Sequence, residues 1–368
     1  MNTVTGSAPG RVNLIGEHTD YNGGVALPLA LPHRTRARVQ PRADGVVTAS
    51  SSAPGSSTVT FDRATQPGDV DGWAAYVAGV FWSLRESGHE VPGADVVVDS
   101  DVPRGAGLSS SAALECAVLV ALDRVAGLGL DRTGMALIAQ RAENDYVGAP
   151  TGAMDQMAAM HGGDGQVVLF DARAVSAQPI PCDLDAAGLA LLIIDTRAAH
   201  SHADGEYGAR RASCEEAAAQ LGVSTLRALQ EQQVDAVVDR LGDDVLRRRV
   251  RHILTENARV LRTVDLLRAG KVPDIAPLLT ESHASMRDDY EISAPEVDVA
   301  VEAAMQAGAL GARMTGGGFG GSVIALVDRE RSDAVAEGAR TAFERNGFTE
   351  PHTFVVVPAV GAGVQEDQ

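Results

Sequence analysis

The sequence predicts a two-domain α+β protein, on three observations. Its 368 residues are more than one hydrophobic core usually serves, and 45% of them are hydrophobic, enough to fill two. Short strand signals broken by Gly, Pro and Ser turns crowd the opening residues, and amphipathic helices then alternate with further apolar strands. Three glycine- or polar-rich loops interrupt this pattern where chemistry needs close backbone approach: Gly16–Gly24, Gly105–Ser111 and Gly316–Gly321.

Composition narrows the function. A formal net charge of −18 excludes sequence-independent binding to nucleic acid or to an anionic membrane surface. Cys116, Cys182 and Cys214 lie far apart without metal-ligand spacing, which fits a reducing compartment. The opening run Met-Asn-Thr-Val-Thr-Gly-Ser carries no secretion signal, and no window is apolar enough for a membrane span. The expectation is a soluble cytoplasmic protein with small-molecule partners, a monomer being favoured.

In chain order, Arg11 to Ile15 reads as a short strand ended by Gly16. Glu17, His18, Asp20, Tyr21 and Asn22 then crowd polar groups into a loop closed by Gly23 and Gly24. Carboxylates, an imidazole and an amide so close together can hold several hydroxyls, as a sugar site does; a hydrated turn has the same composition. Strands follow at about 35–40, 46–50 and 58–61, with 50–57 as a hairpin loop. A helix from Trp73 to Ser87 is closed by Gly88, and a strand at 94–98 leads into the central loop.

That loop is Val-Pro-Arg-Gly-Ala-Gly-Leu-Ser-Ser-Ser-Ala-Ala-Leu-Glu, from Val102 to Glu115. Gly105 and Gly107 permit a tight turn, and Ser109, Ser110 and Ser111 offer hydroxyls that can cap a helix or touch a metal. An apolar helix follows from about Ala112 to Val125. A glycine loop feeding a helix N-terminus is an anion site, although an ordinary serine-capped turn has the same look. It is not a Walker loop, because the chain's one lysine, Lys271, stands in Ala-Gly-Lys-Val-Pro. Nor is it a Rossmann fingerprint. Any triphosphate must be held by backbone amides, arginine, hydroxyls and a metal.

A helix at 132–146 places Glu143 near its end, and Asp155 and Gln156 lie between Met154 and Met157 in a segment that looks buried. A buried carboxylate needs a partner, which marks Asp155 for chemistry ahead of a helix cap. The second half opens with an apolar strand at 189–194. His200 and His202 lack the partners that would complete a metal set and read as loop polarity. Helices follow at about 205–220, 244–267, 277–289 and 295–308; the arginines of 244–267 read as a solvated face. Then Gly311 to Val327 sets glycines around Phe319 between two apolar strands.

Three such stretches in this order resemble the galactokinases of the GHMP small-molecule kinase family. The signature Gly-Arg-Val-Asn-Leu-Ile-Gly-Glu-His-Thr-Asp-Tyr-Asn stands at Gly10 to Asn22, the phosphate loop at Pro103 to Leu114 and the third motif at Arg313 to Gly321. Met154-Asp155-Gln156, Glu206-Tyr207 with Arg210-Arg211, and Ser282-His283 are further landmarks. Thr151 and Ser322 depart from the family, which often has cysteine at both places.

The resemblance implies the two-domain GHMP kinase fold, with the active site in a cleft between a domain at 1–186 and another at 187–368. It implies Asp155 as catalytic aspartate with Arg11 beside it, and Glu17, His18, Asp20 and Tyr207 against the sugar. Gly105, Ala106, Gly107, Leu108, Ser109, Ser110 and Ser111 would cradle ATP, and Ser111 with Glu143 would hold Mg2+. The implied reaction is ATP-dependent phosphorylation of galactose at its anomeric hydroxyl, the opening of galactose catabolism. A galactokinase-like sugar sensor and a GHMP kinase for another small alcohol are the alternatives; the intact Ser111-Ala112 and Asp155 weigh against the first, the Glu17–Asn22 loop against the second.

Overall fold

The computed structural model describes residues 2–53, 55–103, 105–198 and 203–365, with the side chains of 203 and 204 left aside. His200 and His202 therefore lie outside the described residues, as does Arg104 of the central loop.

The first half comprises β1 (Val4–Asn13), β2 (Val25–Ala26), β3 (Pro28–Arg42), β4 (Val46–Ser51), β5 (Val59–Asp62), α1 (Trp73–Glu86), β6 (Gly93–Ser100), α2 (Ser110–Ala126), α3 (Arg132–Arg141), α4 (Met154–His161), β7 (Gln166–Asp171) and β8 (Ser176–Pro181). The second comprises β9 (Leu189–Asp195), α5 (Ala203–Leu221), α6 (Val234–Val238), α7 (Asp244–Arg268), α8 (Ala276–Ser285), α9 (Pro295–Gln306), β10 (Gly311–Thr315), β11 (Ser322–Asp328), α10 (Ser332–Asn346), β12 (His352–Val356) and β13 (Gly363–Gln365).

A six-stranded sheet runs β13-β1-β3-β6-β4-β5, antiparallel except for the β4–β6 pair. Ala37, Val39, Val47, Ala49, Val96 and Val98 point from it into a core filled by α1, α2 and α3. A four-stranded sheet runs β10-β11-β9-β12, and β2-β7-β8 form a third. Strand β9 is buried on both faces, which is why it is apolar throughout rather than alternating. Its Leu192 and Ile194 enter a core with α5, α7, α9 and α10, while Leu191 and Ile193 face the other way. There they meet Val12, Leu14, Leu27 and Leu29, with Val260 and Val264 of α7, in a third core shared by both halves. Each such side chain contributes about 1.5–3 kcal/mol on burial, and together they hold the walls of the cleft in register. The division expected at 186/187 falls between β8 and β9, and β13 rejoins the first sheet beside β1.

Strand β1 starts earlier than the sequence suggests. Val4 to Pro9, ahead of the strand expected from Arg11, already pairs with β3 up to a register shift between Pro9 and Arg11. A bulge there re-aims the side chain that follows it, and that side chain is Arg11. The helix expected to run through Tyr146 changes character after Arg141: residues Ala142–Val147 form a π-helical turn, with Gly148 N–H and Ala149 N–H both reaching Glu143 O. Such turns cluster at functional sites, and this one carries Glu143. Among the described residues no helix is long and apolar enough to cross a membrane.

Candidate active site

A cavity of about 250 Å³ opens between the halves. That is just below the roughly 300 Å³ at which drug-sized ligand sites begin, a size for one small polar molecule. Arg11, Glu17, His18, Asp20, Asp155 and Tyr207 all line it, with the backbone of Thr151, Gly152 and Gly316 to Gly318. All the residues proposed from sequence for catalysis and sugar contact are thus brought together, from four separate segments.

Asp155 lies in the first turn of α4 and Arg11 at the bulge of β1. The guanidinium grips the carboxylate with both arms, Nε to Oδ1 at 2.7 Å and Nη2 to Oδ2 at 2.9 Å. Its third nitrogen, Nη1, donates to Gly107 O at 2.7 Å, so one side chain ties the carboxylate to the phosphate loop. Leu108 O accepts from Arg11 N–H, and Ala106 O from the Ser322 hydroxyl at 2.7 Å. With three consecutive carbonyls turned toward protein donors, the trans peptides aim the N–H groups of Gly107, Leu108 and Ser109 the other way. Gly107 has φ +71°, a conformation that a side chain strains.

The polar loop is held from beneath. Glu17 is 1% exposed: Oε1 accepts from Gly316 N–H at 2.7 Å, Oε2 takes the Asn13 amide, and Arg313 lies 3.5 Å away. Burial outweighs these partners and pushes its carboxyl up to about 7. His18 adopts φ +60°, with Nε2 3.1 Å from Gly317 O and Nδ1 2.7 Å from the Tyr21 hydroxyl. A carbonyl only accepts, so Nε2 carries the proton and Nδ1 receives that of Tyr21. Burial lowers the ring to about 3, so it is neutral. The sequence offered its imidazole as a hydroxyl grip, but both nitrogens are engaged within the protein. What His18 presents to the cavity is its ring, stacked beside Tyr207 at 4.8 Å.

Asp20 receives Tyr21 N–H at 2.9 Å and Met154 N–H at 3.4 Å, and burial and the charge of Asp155 both raise its carboxyl from the ordinary value. Its carboxylate lies directly over Gly152, where an added Cβ would overlap it. Glu143 Oε2 takes Gln156 Nε2 at 2.7 Å and Thr151 Oγ1 at 3.2 Å, and the nearby Ser111 hydroxyl also favours its charged form. Burial, then the nearby Asp155 charge, raises Glu143. Both departures from the family pattern, Thr151 and Ser322, put a hydroxyl to use here.

Several supporting residues escaped the sequence reading. Arg249, on the face of α7 taken as solvated, is buried against Asp289 O and Glu291; its neighbours His252, Glu256 and Asn257 bind Glu17 O, Gly16 N–H and Val25 N–H. Polar residues recurring every three to four positions beside the apolar stripe were the available signal. Glu115 is also wholly buried, sharing the Gln156 amide with Glu143, and burial holds it well above the carboxylate range.

Residues 2–41 match the galactokinase galactose-binding signature, 75–163 the GHMP kinase N-terminal domain and 263–345 the GHMP kinase C-terminal domain. The chain is 51% identical to a galactokinase of Streptomyces coelicolor, over 97% of this chain and 92% of that one. It is also 51% identical to a galactokinase of Mycobacterium tuberculosis, over 98% and 99%. This chain belongs to the galactokinase family of GHMP kinases. Within that family, the Lactococcus lactis galactokinase solved with galactose superposes with a TM-score of 0.92 at 32% identity, covering 98% of this chain and 95% of that one. The Methanococcus jannaschii mevalonate kinase, at 15% identity and a TM-score of 0.67, shares the fold alone.

Proposed function

We propose that this galactokinase-family chain transfers the γ-phosphoryl group of ATP to the anomeric hydroxyl of galactose, with Asp155 as base. The observation that carries the reading is the Arg11 fork, which grips the Asp155 carboxylate with two nitrogens and joins it by the third to a carbonyl of the phosphate loop at the mouth of the sugar-sized cavity. Phosphoryl transfer asks mainly for alignment and charge neutralisation. Asp155 accepts the hydroxyl proton as the O–P bond forms, and Arg11 holds the carboxylate in place and offsets charge on the phosphate. Asp20, with lone pairs left after its two backbone donors, accepts from adjacent hydroxyls on one sugar face; Tyr207 and the His18 ring pack against the sugar body. Glu17 supports the loop that carries Gly316 to Gly318.

The N–H groups of Gly105 to Ser111 and the N-terminus of α2 receive the phosphates. Ser111 and Glu143 form an oxygen-only set that suits Mg2+. Glu143 is buried with no arginine, lysine or histidine paired to it among the described residues, the condition a cation relieves. Magnesium bound there would supply charge neutralisation on the ATP oxygens.

A coupled ADP-release assay over a panel of hexoses tests the reading. Glucose differs from galactose only at carbon 4 and would leave a buried acceptor of Asp20 unpaired. Galactose should exceed glucose by at least about a thousandfold in kcat/KM. Glucose turnover within about tenfold of galactose would remove the sugar assignment, and binding without turnover would make the chain a sensor.

A further inference from the structure

Ser109 stands at the N-cap of α2, yet its side chain makes no capping bond. It also has φ 56° and ψ 51°, the left-handed region where glycine is at ease and serine is strained. Its two neighbours in the turn, Gly105 and Gly107, meet the same demand as glycines, with φ +73° and +71°. A serine kept at a position that suits glycine, with its hydroxyl withheld from the helix, calls for another use of that hydroxyl. The structure supplies one: Ser109 Oγ donates to Asp155 Oδ2.

A carboxylate offers about two acceptor sites on each oxygen. Among the described residues, Arg11 Nη2 and Ser109 Oγ together fill Oδ2, whereas Oδ1 has Arg11 Nε alone. One acceptor site therefore remains, and it belongs to Oδ1. We propose that Ser109 is a positioning residue for Asp155: its hydroxyl occupies Oδ2, leaves Oδ1 as the oxygen that takes the sugar proton, and couples the phosphate loop to the base. The inference rests on the reading of Asp155 as base. It separates Ser109 from Ser110 and Ser111: its backbone still belongs to the phosphate cradle, but its side chain serves the sugar end of the reaction.

Ser109→Gly is the decisive variant, because glycine keeps the left-handed turn and removes only the hydroxyl. Its melting temperature should equal or exceed that of the unmodified protein. ATP affinity by calorimetry and the KM for ATP should stay within about threefold, while kcat falls by about ten- to a hundredfold, the weight of one hydrogen bond to a charged group. Ser109→Ala should show the same loss of kcat with a lower melting temperature. Undiminished kcat in Ser109→Gly overturns the proposal. So does a kcat loss matched by an equal loss of ATP affinity, which would assign the hydroxyl to the loop. Asp155→Asn assayed in parallel separates the two levels: if it stays active, the base assignment has failed; if it is inactive while Ser109→Gly is normal, only the Ser109 inference has.

Discussion

The two loops that meet at Arg11 and Asp155 are built in opposite ways. Glu17, His18, Thr19 and Asn22 of the polar loop are at most 5% exposed, and partners from α7, from β10 and from the glycine loop after it fix them. In the phosphate loop, Gly105 is exposed, Gly107 and Ser109 to Ser111 are half-exposed, and the holds are on backbone carbonyls. The difference teaches where each kind of selectivity comes from. On the proposed reading, a hexose is told from its epimer by side chains that cannot yield, so their frame is set before the sugar arrives. On the same reading phosphate is recognised by backbone N–H groups, so that loop needs a conformation more than it needs particular side chains. Damage to the first should appear in sugar terms and damage to the second in ATP terms.

Asp155 belongs to both, and its loss gives the largest effect. Asp155→Asn keeps the shape but cannot take a proton, so turnover should fall by at least about a thousandfold with galactose affinity retained within about tenfold. Single-turnover phosphoryl transfer and calorimetry read the two quantities separately. Near-normal turnover would remove Asp155 from the base role and leave the loops without a common centre.

On the sugar side, Asp20→Ala should lower galactose kcat/KM by about a hundredfold or more, with glucose hardly changed and the KM for ATP within about twofold. Gly152→Ala should resemble it, because the new Cβ overlaps the Asp20 carboxylate. A parallel rise in the KM for ATP in either variant would break the division between the loops.

On the phosphate side, Gly107→Val puts a β-branched residue at φ +71°. The strain of about 1–2 kcal/mol or more should weaken ATP binding by about tenfold while galactose binding stays within about twofold. Equal losses for both ligands would make this turn part of the scaffold.

The same contrast governs what the sequence made legible. The phosphate loop could be read because its demands are local: glycines for the turn, serines, then an apolar helix. The polar loop announced Glu17, His18 and Asp20 as a cluster but not what holds them, since His252 and Glu256 reach Glu17 O and Gly16 N–H from more than two hundred residues away. Helical spacing located the arginines on α7 without showing that Arg249 meets Glu291 rather than water. Nor could spacing show that both nitrogens of His18 would be used internally. The π turn at Glu143 has the composition of ordinary helix. Strands β7 and β12 and helix α10 did carry signals, an apolar run after Asp164-Gly165 and a Ser332-to-Gly347 frame among them, but none touches the chemistry that drew the reading.

The smallest effect concerns the rigidity of the polar loop's frame. Burial lowers His252 to about 4 and His18 to about 3, against an unfolded value of 6.5. As pH falls from about 6.5 toward 4, the unfolded chain takes up protons that the folded one refuses, so each ring costs stability by up to about 1.4 kcal/mol per pH unit. Glu17 acts oppositely. Raised to about 7 from 4.5, it keeps its proton in the folded state where the unfolded chain has released it, so between pH 7 and 4.5 acidification through Glu17 favours the fold. Because the three overlap, the useful quantity is a difference between variants. His252→Gln can still donate to Glu17 O and accept from Ser285, lies outside the cavity, and does not titrate. Urea midpoints at pH 7, 6 and 5 should fall less steeply with acidification in His252→Gln than in the unmodified protein, by up to about 1.4 kcal/mol per pH unit below pH 6. Parallel slopes would show that His252 titrates as freely when folded as when unfolded, and that the frame beneath the polar loop admits water.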